Sequence, residues 1–517
     1  MKVALIYPRL PDLVKNLRML FTPEGIEREE IVVPVDGNRV AAYQAAMVSS
    51  DADYKIYIDE TIRILNRDII GHVIQAFQAH PEISILGLSG TKQLSTSGLC
   101  IQSANRIGGL QGPDGRELLS VGDAPHVEAV EAFDSWFLAT QNDVPWRSDL
   151  LHGTAFLGAS ACCEHRRLHR GGAAVLVQEK TACRLVKTDF FFDKSDQEAF
   201  LDTYSRELYP LVSVCILTYQ RPAYFQQALE SVLHQTYRNI DIFVSDDSHD
   251  ERTKTLIEPY LADRRITYEH HPEFTAYDNW ANIQQYDNPR AEYVGFLMDD
   301  DLYLPDKLTC MVEAYRSHPN VSLVTSHRRL IDGAGNILPD QEFSERISEK
   351  DVVIRGEEAG RYLLRHCWNY IGEPSITLMK KSFIENHEYK WVHDVRGYDF
   401  GDVPIWLNLL TKGDLFYFAR DLSCFRLHDG NTGLPDVIVG TPTFWAELVQ
   451  KAWQEHRFLH TTAEYAATLK LLLRASMERF LWPGGKEASE HLRRENEAVI
   501  GEMFLALSKI SDEEMGK

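Results

Sequence analysis

The sequence predicts an α/β protein of two similar domains, each a mostly parallel sheet with helices on both sides, followed by a helical C-terminal region. Three observations carry this. Short apolar runs alternate with helical segments in both halves of the chain. Acid clusters close several of those runs, at the strand ends where ligands of such sheets sit. Beyond Gly440 the alternation gives way to helical periodicity alone.

In the second half, residues 212–217 are an apolar run typical of a strand covered on both faces. Pro222 opens a helix through Leu233, with Phe225, Leu229 and Val232 on one stripe. The next strand, 240–245, ends at Asp246-Asp247-Ser248. The run 293–298 ends in Asp299-Asp300-Asp301, and a Pro305-led amphipathic segment follows. Three adjacent carboxylates repel one another, so a stable fold needs something positive beside them. A hard divalent cation with phosphate completing its shell is the expected partner. A solvated acidic turn is the plain alternative.

The first half repeats the theme. Strands are expected at 3–7, 31–34, 54–58 and 83–88, the third ending at Asp59-Glu60-Thr61. A Gly-, Ser- and Thr-rich loop spans 89–98, and glycines between 108 and 122 mark a long surface loop. The polar stretch 193–206 has the character of a linker helix. The expected divisions are a first domain at 1–192, a linker at 193–210, a second domain at 211–435 and a helical region at 436–517. In the last, 444–481 and 487–510 have helical periodicity, broken at Pro483-Gly484-Gly485.

At 517 residues the chain is too long for one core. Its formal charge of −22 argues against nucleic acid or anionic lipid as the main partner. No apolar run has the length of a membrane span, and the start of the chain reads as a first strand rather than a signal peptide, so the cytoplasm is the expected compartment. The eight cysteines lack paired metal spacing and read as buried thiols of a reducing compartment.

Together, the strand run leading to Thr218-Tyr219, the helix ending His234-Gln235-Thr236-Tyr237, the pair Asp246-Asp247 and the triplet Asp299-Asp300-Asp301 resemble family 2 glycosyltransferases of the GT-A fold. The similarity runs from Leu211 to Gly433. The resemblance implies a nucleotide-sugar donor, a UDP-sugar foremost, lying across the strand ends, with Thr218, Tyr219, Arg221, Asp246, Asp247 and Asp299 as its binding residues. It implies Mn2+ or Mg2+ held by Asp300, Asp301 and His428, the last from Phe425-Arg426-Leu427-His428. Imidazole suits Mn2+ better than Mg2+. It further implies a catalytic base at Asp402, ahead of Pro404 at a helix start, with Asp399 as the rival and a simple helix cap as the structural alternative. Asn431 and Gly433 fall on a segment expected to fold over the donor. Trp368, Glu373 and Ser375 match the acceptor side. The chain departs from the family pattern at Met298, where an acid is usual, and at Gln220, where asparagine is common.

The first half resembles another GT-A branch through residues 54–61, 80–92 and 133–140, but Thr61 stands where that branch has its metal aspartate. A neutral threonine cannot offset a divalent cation, so this half reads as a degenerate, noncatalytic domain. The resemblance as a whole implies a metal-dependent inverting transferase of hexosyl or N-acetylhexosaminyl groups. Its acceptor would be a glycan or glycoprotein, in bacterial surface polysaccharide or protein glycosylation. The alternative is a noncatalytic carbohydrate-binding or scaffold protein built from decayed transferase domains. A nucleotidyltransferase would need a Gly-rich, basic loop after the first strand, which residues 218–222 do not supply.

Overall fold

The computed structural model of the chain describes residues 1–119, 125–187, 192–384, 386, 388–391, 401–428, 435–481 and 488–515. Two compact units divide it, Met1–Tyr209 and Pro210–Lys517.

In the first unit a seven-stranded sheet runs in the order His126–Ala129, Gly172–Val177, Ile83–Gly87, Phe137–Thr140, Tyr54–Ile58, Lys2–Pro8, Glu27–Val33. Phe137–Thr140 is antiparallel to both neighbours. The three strands on one side of it are parallel to one another, as are Ile83–Gly87 and Gly172–Val177 on the other. The second unit follows the same plan. Ile266–His270, Ile240–Asp246, Leu211–Thr218 and Ala291–Met298 are parallel. The short strand Leu378–Lys380 is then inserted antiparallel, and the parallel pair Val321–Asp332 and Asp414–Leu427 completes the plan. The mostly apolar, buried strand interiors agree with a sheet covered on both faces.

Register decides what meets at the strand ends. Leu217 pairs with Met298 and Thr218 with Asp246, so the first turn and both acid clusters emerge side by side. Helix Pro222–Leu233 keeps its bounds as expected, burying Phe225, Leu229 and Val232. Helix Lys307–Ser317 follows the acid turn.

The structure adds detail to three stretches. The linker helix expected within 193–210 is helix Lys194–Leu208, and it buries Phe200, Leu201 and Tyr204 in the first unit because its apolar residues fall on one face. The glycine-rich stretch 108–122 includes the strands Leu110–Gln111 and Glu117–Leu119 among its described residues, paired with each other. The helical C-terminal region is present as expected and packs into the core of the second unit. Its helices Pro435–Gln454, Thr462–Leu481 and Glu490–Met515 place Phe444, Leu448, Leu469 and Val499 in one core with Trp406 and Leu363. The stretch expected to be continuous over 444–481 divides between the first two helices. Pro483-Gly484-Gly485 lies outside the described residues. All eight cysteines are free thiols, seven of them buried. Among the described residues no helix is long and apolar enough to cross a membrane.

Candidate functional site

The turn after strand Leu211–Thr218 and the acid turn after Ala291–Met298 are bonded to each other through Asp299. Its Oδ2 accepts the Thr218 hydroxyl at 3.1 Å and the Tyr219 backbone N–H at 3.0 Å. Burial pushes its carboxyl up to about 7, against the pull of the Arg221 guanidinium. The chain can make this tight turn because Gln220 adopts φ 58°, a left-handed conformation in which its N–H reaches the Ser248 hydroxyl at 2.8 Å. Tyr219 is left 44% exposed, with His249 edge-on at 5.6 Å. It is the free aromatic surface at this edge.

Arg221 bridges the acid turn. Its guanidinium lies 2.9 Å from Asp299 Oδ1 and 2.7 Å from Asp300 Oδ2. His428 Nε2 is 3.0 Å from the same Asp300 oxygen and 3.1 Å from Arg221 Nη1. The positive charge that the triplet requires is thus supplied, in the free protein, by an arginine of the chain itself.

Asp301 departs from its expected place. It is 1% exposed, its Oδ1 accepts the Arg426 backbone N–H at 3.1 Å, and burial together with Asp300 holds its carboxyl well above the usual range. It faces the interior, so the trio Asp300, Asp301 and His428 does not close as a ligand set. Among the described residues no group of three or more His, Cys, Asp or Glu side chains does. Asp300 and His428 remain a chemically fitting pair for a divalent cation, a carboxylate oxygen and an imidazole nitrogen 3.0 Å apart.

Asp246 is also structural: it accepts the Tyr268 hydroxyl at 2.7 Å and the Ser248 N–H at 2.8 Å, fully buried. Asp247 lies at the cleft edge. Its N–H reaches the Thr218 carbonyl, its carboxylate accepts Asn279 Nδ2, and burial raises its pKa.

Asp402 caps helix Val403–Leu410. Its Oδ1 accepts the Val403 N–H at 2.7 Å and its Oδ2 the Asn369 Nδ2 at 2.9 Å. The preceding Gly401 has φ 73°, where a side chain would be strained, so glycine fixes how the chain enters this helix. The loop carrying Asn369 continues to Ser375, whose hydroxyl accepts the Met298 N–H at 3.1 Å. One loop therefore touches both Asp402 and the strand that bears the acid turn. Of the expected acceptor-side residues, Ser375 is fully buried, its carbonyl accepting Lys307 Nζ at 2.8 Å, and faces the core instead. Glu373 is ion-paired with Arg328 at 2.9 Å. Trp368 lines a separate cavity of about 420 Å3 with Tyr362 and Tyr370. Asp399, Asn431 and Gly433 lie outside the described residues.

Sequence reasoning missed Arg426. It is 1% exposed, donates from Nε to the Asp300 carbonyl at 2.7 Å and from Nη2 to Gln227 at 2.8 Å, and stacks over Tyr224 at 4.5 Å. A lone arginine inside the apolar run before His428 was the available signal. Arg426→Met is expected to cost roughly 3 kcal/mol of stability, since it leaves the buried Asp300 carbonyl and the Gln227 side chain without their donor, while Asp301 keeps its bond to the backbone N–H. Urea unfolding checks this, with an unchanged midpoint as the contrary result.

Residues 11–204 match the family described as Glycosyltransferase like family, and residues 213–387 match Glycosyl transferase family 2. The second half of the chain is a family 2 glycosyltransferase domain and the first half a glycosyltransferase-like domain, two GT-A domains in tandem. Protein CgeD of Bacillus subtilis is 26% identical over 208 residues, which are 38% of this chain and 46% of that protein. The GalNAc(5)-diNAcBac-PP-undecaprenol beta-1,3-glucosyltransferase of Campylobacter jejuni is 28% identical over 220 residues, 42% of this chain and 65% of its own length. Less than two thirds of either relative is thus covered. Among solved structures, S. aureus TarS 1-349 in complex with UDP-GlcNAc matches with a TM-score of 0.43 and 12% identity, over 57% of this chain and 81% of that one.

Proposed function

We propose that the second unit is the catalytic half of a metal-dependent, inverting glycosyltransferase. It moves a hexosyl or N-acetylhexosaminyl group from a nucleotide-sugar, a UDP-sugar first, to a glycan or glycoprotein acceptor in bacterial surface polysaccharide or protein glycosylation. The observation that carries the reading is the Asp299-centred joint between the Thr218-Tyr219 turn and the acid turn, with Arg221 and His428 converging on Asp300. The glucosyltransferase relative, named for a diphosphate-linked polyprenol glycan, adds support for a glycan acceptor. The free buried thiols suit a reducing compartment, consistent with the cytoplasm.

In this reading Tyr219 stacks on the base and Asp247 accepts ribose hydroxyls. Asp300 and His428 would hold Mn2+ or Mg2+, which when bound offsets charge on the departing diphosphate. Arg221 leaves Asp300 to pair with phosphate oxygens, for which a guanidinium fork is suited. Asp402 takes the proton of the acceptor hydroxyl as its oxygen bonds to the anomeric carbon. The carbon–phosphate-oxygen bond breaks on the opposite face, and the nucleoside diphosphate departs with the electron pair. Configuration at the anomeric carbon inverts.

The test is incubation with a panel of UDP-, GDP- and dTDP-sugars and a divalent cation, with NMR of the released sugar. Metal-dependent consumption of one donor with inversion is expected; no consumption of any donor, in protein that binds none of them, overturns the reading.

Arg221 gives a further prediction. Arg221→Gln removes the internal counter-ion of two buried carboxylates, a loss on the order of 3 kcal/mol when no cation replaces it. Thermal unfolding in EDTA is expected at a lower temperature than wild type, with Mn2+ restoring the difference. A drop that Mn2+ leaves untouched would contradict cation binding at Asp300.

A further inference from the structure

The first unit holds its own cleft, a cavity of about 630 Å3 at the carboxyl end of strand Tyr54–Ile58, within the size range of small-ligand sites. Its floor is the Asp59-Glu60-Thr61 turn, joined to Trp136 by the Asp59 N–H on the Trp136 carbonyl at 2.9 Å. The opposite wall is residues 152–155. Asp196 holds this wall by accepting the Gly153 N–H at 2.8 Å, and the Thr154 hydroxyl reaches Asp59 at 3.3 Å. The cleft is therefore built rigidly, by bonds that have no part in the second unit's chemistry.

Its lining excludes a nucleoside diphosphate. Five carboxylates (Asp59, Glu60, Asp134, Asp193 and Asp196) line it with two cations, Arg39 and the exposed Lys187. Arg39 is already committed to Glu60 at 2.9 Å. With Thr61 in the position of the metal acid, no carboxylate there bridges a cation to phosphate. The same carboxylates are poor partners for a second anion but good acceptors for hydroxyl groups.

Donor groups are present as well. Thr61 lines the floor beside Asp59, and Arg39, nine-tenths buried and paired with Glu60, lines the wall. At the mouth Phe192 is 40% exposed and stands edge-on to Phe156 at 5.8 Å. Fixed acceptors, donor groups and an open aromatic face together match a sugar ring, with hydroxyls at its edge and C–H groups on its faces.

We propose that this cleft is a noncatalytic binding site for a neutral glycan, made of uncharged hexose or N-acetylhexosamine residues. The site stands whether or not the second unit turns over a donor.

The test uses the full chain in EDTA without nucleotide, with lactose, cellobiose and N,N′-diacetylchitobiose as probes, read by saturation-transfer NMR. At least one disaccharide is expected to bind. Phe192→Ala, at an exposed position, and the isosteric Thr61→Val should each weaken it about fivefold or more. Asp300→Ala and Asp402→Asn should leave it unchanged, and UDP should not displace it. No binding of any probe, binding indifferent to both first-unit variants, or displacement by UDP overturns the proposal. UDP binding by the second unit is measured separately with Mn2+ present, so failure of the transferase reading shows there while the disaccharide result stands.

Discussion

Asp300→Ala is expected to lower sugar transfer by roughly 1,000-fold or more, the order lost when a group that offsets developing charge is removed. The same variant should lose the metal-dependent part of nucleotide binding. The physical reason is local. Asp300 Oδ2 is the one oxygen on which Arg221 and His428 converge, at 2.7 and 3.0 Å. Its removal leaves Arg221 paired with Asp299 at 2.9 Å, and the Arg426 bond to the Asp300 backbone carbonyl is untouched. The fold should therefore persist, and the melting temperature should stay close to wild type. Calorimetric titration of UDP with and without Mn2+, beside a transfer assay, separates the two effects. Transfer at the wild-type rate would remove Asp300 from the metal site.

Asp402→Asn is expected to reduce turnover about 100- to 10,000-fold, the range for loss of a general base, while nucleotide affinity stays the same. An amide oxygen still accepts the Val403 N–H, so the helix keeps its cap. The new amide nitrogen would face Asn369 Nδ2, which now donates to Asp402, so a stability loss of about 1 kcal/mol is also expected. These two effects distinguish base from cap. A residue that only caps would show the small stability change and near-normal kcat. Asp399→Asn, made in parallel, tests the rival: turnover lost there and kept in Asp402→Asn would exchange the assignments.

Much of this was legible in the sequence, and for identifiable reasons. The strand runs 212–217, 240–245 and 293–298 are predominantly apolar, as expected of a sheet covered on both faces. Their acidic ends were read directly from the sequence. What stayed hidden depends on side-chain direction rather than on order along the chain. Asp300 and Asp301 are neighbours in sequence, yet one meets His428 and the other is sealed beneath Arg426. Ser375 reads as part of an acceptor loop but points into the core at Met298, because the loop crosses between the site and the sheet. Arg221 is expected from the resemblance among the donor's binding residues, but its bridging of two carboxylates requires the turn at Gln220, whose left-handed backbone no propensity indicates. The C-terminal helices carry ordinary amphipathic stripes, and nothing in a stripe says which core it joins; packing with Trp406 decided that.

The central claim is that sugar transfer belongs to the second unit alone. In the first unit, Asp59 is buried against Thr61 and Thr154, and Glu60 is paired with Arg39, so neither is arranged for a cation. The most direct measurement compares donor turnover at saturating acceptor in two full-length variants, Asp300→Ala and the double change Asp59→Asn with Glu60→Gln. The account predicts that the double variant turns over donor at the wild-type rate with the same metal requirement, while Asp300→Ala is silent. Turnover lost in the double variant, in protein that melts like wild type, would mean a second active centre and contradict the account.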